Sequence, residues 1–81
     1  MATGGIALKS VMARILECST ADIEESAAIN DTVGWDSLSH INLMLELGRL
    51  GVAISPMQIA ELTSYPVIRA HIEASGMAVH D

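Results

Sequence analysis

Residues 38–50 constrain this chain more than any other stretch, because Leu38, Ile41, Leu43, Met44, Leu45, Leu47 and Leu50 crowd into it. With a step of about 100° per residue, Ser39, Asn42, Glu46 and Arg49 gather in one polar stripe roughly 80° wide, and apolar side chains take most of the remaining surface. An ordinary surface helix buries a narrower apolar face than that. Such a helix must lie at the centre of a bundle, or it must leave part of its apolar side, Leu38 and Leu45 above all, for a partner. Asp36 and Ser37 stand just before the run as helix-capping residue types, and Gly51 follows it as a stop. A helix over residues 37–50 is therefore the anchor of the fold.

The other segments are read around that helix. Leu8, Val11, Met12, Ile15 and Leu16 recur at helical spacing, with Lys9, Arg14 and Glu17 on the wetter side, and predict a first helix over 6–18. Residues 19–35 are rich in Ser, Thr, Asp and Glu and read as a long loop, pinned to the core by Ile23, Ile29 and Val33. Connections beyond about 12–15 residues are uncommon and are usually functional or carry a short helical turn. Ser55-Pro56-Met57-Gln58 forms a capping-box pattern, which opens a short third helix over 56–62. Thr63-Ser64-Tyr65-Pro66 repeats the signal before a fourth helix over 66–75, with Val67, Ile68, Ile72 and Ala74 facing inward and Gly76 ending it. Residues 1–5 and 77–81 read as tails. The expected fold is all-α, a small four-helix bundle in one domain.

Composition narrows the function classes. An 81-residue chain is short for burying a core, since domains of this size bury only about 60–65% of their unfolded surface. With no Phe, one Trp and one Tyr, the core falls to aliphatic residues and the five Met. A formal charge of −6 with no basic stripe argues against nucleic acid and suits basic partners. Cys18 stands alone, so no internal disulfide forms, and it reads as a small buried residue at a helix end in an intracellular protein. The start of the chain lacks a basic leader, and no apolar run approaches the ~20 residues of a membrane span. A cytoplasmic monomer is expected.

The residues that could carry chemistry cluster at the start of the central helix. A hydroxyl at Ser37 would be exposed, and a phosphate attached there would meet the positive end of the helix dipole. Asp36, Ser37 and His40 make a poor hydrolase, because Asp36 is directed away from the other two and no Gly-rich oxyanion loop is present. The three histidines and Cys18 form no metal-ligand spacing, and the histidines read as surface residues, although His40, one turn after Ser37, stands close enough to influence a phosphate. Trp35 either anchors the loop to the core or touches a partner. Glu24 and Glu25 read as a solvated loop feature. Ser37 also has a plainer role as a cap or phosphorylation site in a small interaction domain.

The segment Gly34-Trp35-Asp36-Ser37-Leu38 resembles the attachment motif of phosphopantetheine-dependent carrier proteins, which include acyl carrier proteins and peptidyl or aminoacyl carriers. The likeness extends from the first helix through Ile72. It implies a 4′-phosphopantetheine group esterified to Ser37 by a phosphopantetheinyl transferase, with Asp36 and Leu38 completing the motif. It also implies a non-enzyme that carries an acyl or aminoacyl thioester between partners. These partners would be an adenylating acyl or aminoacyl ligase and a downstream acyl-transfer enzyme. Fatty-acid-type carriers have a strongly acidic second helix, whereas here that helix has one Glu and one Arg. Docking through Trp35, Leu38, Ile41, Asn42, Leu45 and Arg49 is therefore expected to be largely apolar. Together with the absence of Phe, this leans the resemblance towards a stand-alone aminoacyl or peptidyl carrier, with a fatty-acid or polyketide carrier as the alternative.

Overall fold

A computed structural model describes residues 5–32 and 34–80. Four α-helices form the body: α1 (Leu8–Leu16), α2 (Ser37–Arg49), α3 (Pro56–Glu61) and α4 (Tyr65–Ala74). The first helix is shorter than the 6–18 span at both ends. Glu17 turns into the left-handed region at φ 58°, with the Cys18 amide bonding back to the Ala13 carbonyl, and this closes the helix at Leu16, short of Cys18. At its other end Gly5–Ile6 forms a strand, β1, paired in parallel with β2 (Ala78–Val79). The segments expected to be tails are thus partly sheet, tied further by the His80 amide on the Ile6 carbonyl at 2.8 Å.

The core is one cluster to which all the longer helices contribute: Leu8, Met12 and Leu16 of α1, Leu43, Met44 and Leu47 of α2, and Ile68 and Ile72 of α4. Trp35 and Tyr65, both 1% exposed, are its largest side chains. The α2 wheel divides as its composition demands. His40, Leu43, Met44 and Leu47 are buried, and Leu38 and Leu45 are 70% and 66% exposed. The inward set expected for α4 needs correction: Ile68 and Ile72 face the core, but Val67 is 44% exposed and Ala74 is exposed. Tyr65 takes the position one turn before Ile68, and Val67 falls on the other side. No helix among the described residues is long and apolar enough to cross a membrane.

The long loop carries a 3-10 turn at Thr20–Asp22, where the Asp22 carboxylate accepts from the Ser19 amide and hydroxyl, both at 3.1 Å. Ile23 is buried, Ile29 packs against the core at its edge, and Val33 lies outside the described residues. Ala27, not anticipated as a pin, is buried as well. The loop is then zipped to the α3–α4 connection, the Ile29 amide donating to Thr63 at 2.9 Å and the Tyr65 amide to Ala27 at 2.8 Å. Glu24 and Glu25 are exposed, as a solvated loop feature requires, and Glu25 also pairs with Lys9 of α1 at 2.6 Å. The loop is thereby a fixed lead into α2.

Candidate functional site

Gly34 makes the turn that delivers the chain to α2. Its φ is +86°, and a Cβ there would lie 2.7 Å from the Leu16 carbonyl oxygen, so any side chain is excluded by backbone conformation and by space. Trp35 follows and is buried. Of its two expected roles, anchoring the loop to the core is the one the structure shows, and direct contact with a partner is closed to it.

Asp36 is the N-cap of α2, its carboxylate accepting from the Ser39 amide at 2.9 Å. That bond, joined by the Ser39 hydroxyl, holds the carboxyl below its ordinary range, because the charged form is the one the helix start favours. Ser37 is accordingly the first residue inside the helix. The capping role weighed for both residues falls to Asp36 alone. Ser37 is exposed, and its hydroxyl makes no hydrogen bond among the described residues. A nucleophile in that position has nothing to release before it can be esterified. An attached phosphate would sit at the positive end of a 13-residue helix.

His40 lies elsewhere than expected. Its ring is 4% exposed, and both nitrogens are engaged: the Trp35 Nε1–H donates to Nδ1 at 3.0 Å, and Nε2 stands 2.7 Å from the Ile59 carbonyl oxygen. Indole can only donate and a carbonyl can only accept, so the ring is the neutral Nε2–H tautomer. Neither nitrogen is available to take a proton from Ser37 or to meet a phosphate. This removes the hydrolase arrangement and the phosphate contact together.

Along the outer face of α2, Leu38, Asn42, Leu45 and Arg49 follow one another at spacings of four, three and four residues, with Ile41 beside them at 47% exposure, and all are at the surface. The same stripe begins one residue after Ser37. Arg49 is not a free charge, since its guanidinium binds Glu46 at 2.6 Å, and Arg14 of α1 binds the same carboxylate at 3.1 Å. The two arginines hold the Glu46 carboxyl down to about 2. The only acidic residue of α2 is thus spent on clamping α1 to α2, and the outer stripe is apolar with a slight positive edge. Met57 of α3, 73% exposed, is a further apolar surface residue that sequence reasoning missed. The signal was present: a capping box places Met57 at the second position of a short helix, and such a helix cannot bury every apolar residue it carries.

No group of three or more His, Cys, Asp or Glu among the described residues converges to hold a metal. A depression of about 430 Å³ lies under the long loop, lined by Cys18, Asp22, Glu24, Ala27, Asp31 and Thr32, with Ser37 not among its walls. Burial, and then the Asp22 carboxylate, push the Cys18 thiol up and away from reactivity.

A family model for the phosphopantetheine attachment site matches residues 7–72. That span takes in α1, α2, α3, α4 as far as Ile72, and the Gly34–Leu38 turn. Neither the comparison with curated proteins nor that with solved structures gave a match.

Proposed function

Because this chain belongs to the phosphopantetheine-attachment family, we propose that Ser37 is its attachment residue and that its cargo is a small aminoacyl or acyl group loaded by a discrete adenylating ligase. Carriers of this family are not enzymes. They receive 4′-phosphopantetheine on a serine from a phosphopantetheinyl transferase and deliver acyl groups to partner enzymes. The single observation that carries the assignment to Ser37 is an exposed, unbonded hydroxyl at the first position of the central helix, fixed by the Asp36 cap beside it. Attachment forms an ester bond from Ser37 Oγ to the phosphate of the pantetheine half of coenzyme A. It breaks the pyrophosphate bond, releases the adenosine bisphosphate and passes the hydroxyl proton to a base on the transferase. When bound, the group supplies a terminal thiol that holds the cargo as a thioester.

The protein's own part is presentation. Asp36 holds the helix start in place, and the Leu38, Ile41 and Leu45 stripe offers partners an apolar surface leading to Ser37. Delivery on a tether raises the local concentration of cargo at each partner's active site. The aminoacyl preference is supported by that surface, which lacks the acidic residues of a fatty-acid-type second helix. A lone cysteine supports a cytoplasmic setting. The reading is tested by incubating the protein with a broad-specificity transferase, Mg²⁺ and coenzyme A. Wild type should gain one phosphopantetheinyl mass and Ser37→Ala none. Coexpression with adenylating ligases, followed by intact-mass measurement, then reads the cargo, and a long fatty acyl mass in place of an amino acid overturns the cargo assignment.

A further inference from the structure

His40 is the one buried polar side chain among the described residues, and nothing in the carrying of cargo calls for it. Its ring joins three segments. It accepts from Trp35, two residues before Ser37, it belongs to the first turns of α2, and it donates to the backbone of Ile59 in the middle of α3. The helix it holds has little other anchorage. None of the residues Pro56–Glu61 is buried; besides the His40 bond, the helix body has only the half-buried Ile59, the other ties lying on its flanks at Ala53, which meets His71 at 2.8 Å, at Ile54 and Leu62, and at Thr63, which accepts from Ile29.

We propose that His40 is a positioning residue for the modification of Ser37: it latches α3 to the N-terminal turns of α2, so that an enzyme reaching Ser37 meets a surface already assembled from both helices. This rests on Ser37 being the attachment residue. Without the latch, α3 samples positions away from α2, and the fraction of molecules competent to dock falls, which lowers the apparent affinity in proportion. Once docked, the Ser37 hydroxyl is still fixed by α2 and by the Asp36 cap, so the chemical step is unchanged. The latch acts on KM and leaves kcat alone.

The experiment combines amide hydrogen exchange with transferase kinetics, using coenzyme A and a broad-specificity phosphopantetheinyl transferase. His40→Ala should speed exchange of the Leu62 amide, which bonds to Gln58 in α3, by about tenfold or more, while amides of α1 and α4 change little. The same variant should raise the transferase KM for the carrier by about tenfold with kcat nearly constant. His40→Gln, which keeps one acceptor and one donor, should recover most of both effects. Unchanged α3 exchange, exchange that rises equally in every helix, or a fall in kcat at constant KM each overturns the proposal. Should His40→Ala fail to fold, His40→Leu, which keeps an apolar side chain of similar size but offers no donor to the Ile59 carbonyl, takes its place, and the same two readouts on it and on His40→Gln decide. Wild-type protein that accepts no phosphopantetheine instead overturns the Ser37 reading, and the exchange experiment, which needs no transferase, then decides the latch.

Discussion

Asp36 and Ser37 are neighbours of similar capping character, yet only one of them caps. Asp36→Ala should lower the melting temperature by freeing the first turn of α2, whereas Asp36→Asn, a cap of comparable quality, should restore it. Thermal melts of the two variants check this. Ser37→Ala should change stability by less than about 0.5 kcal/mol, because its hydroxyl supports nothing in the fold. Gly34→Ala forces a side chain into positive φ and against the Leu16 carbonyl, and denaturant melts should show a loss of about 1–3 kcal/mol. At this scale the sequence was a good guide to the local geometry around Ser37 and a poor one to what packs behind it. The cap, the exposed hydroxyl and the stop at Gly51 follow from local residue chemistry. His40 was read as a surface residue, although Leu43, Met44 and Leu47 stand three, four and seven residues beyond it and put it on the buried face. What could not be read was the partner for its second nitrogen, a backbone carbonyl brought near by tertiary packing alone.

Between elements, the clamp of Arg14 and Arg49 on Glu46 fastens α1 to α2. The Glu46 carboxyl titrates at about 2 in the folded protein against an ordinary 4.5, so its folded form binds protons less readily than its unfolded form. The contribution is fully present above pH 4.5 and is lost as pH falls through the window from 4.5 towards 2. Melting curves of wild type and Glu46→Gln should therefore differ at neutral pH and converge near pH 2, and a gap that widens on acidification contradicts the clamp. Helix identity was legible throughout, since the periodicity of α1 and α2 and the capping box of α3 each state a local preference. The α3 box is seen atom for atom: Ser55 accepts from the Gln58 amide at 3.3 Å, and the Gln58 side chain accepts from the Ser55 amide at 2.9 Å. Boundaries were less legible where a non-local contact sets them. The β1–β2 pairing trims α1 at its start, and a pairing of segments so far apart in sequence leaves no local pattern.

Across the whole molecule, α2 divides its apolar residues between a core and an exposed face, and the two halves should respond differently to the same change. Leu47→Ala should cost about 2–5 kcal/mol in denaturant melts, because Leu47 is fully enclosed. Leu38→Ala and Leu45→Ala should stay within about 0.5 kcal/mol of wild type. If that face docks partners as proposed, their effect should appear as a raised KM of the carrier for the transferase. An apolar stripe left exposed beside an attachment residue is hard to account for in a self-contained domain, and it follows directly if partners must grip the carrier to reach Ser37. The most direct test is therefore where the group goes. After modification by a transferase with coenzyme A, proteolysis and tandem mass spectrometry of the peptide containing Trp35 to Arg49 should place a single phosphopantetheinyl group on Ser37. A group on Ser39 or on any other serine, or an unmodified protein, would contradict it.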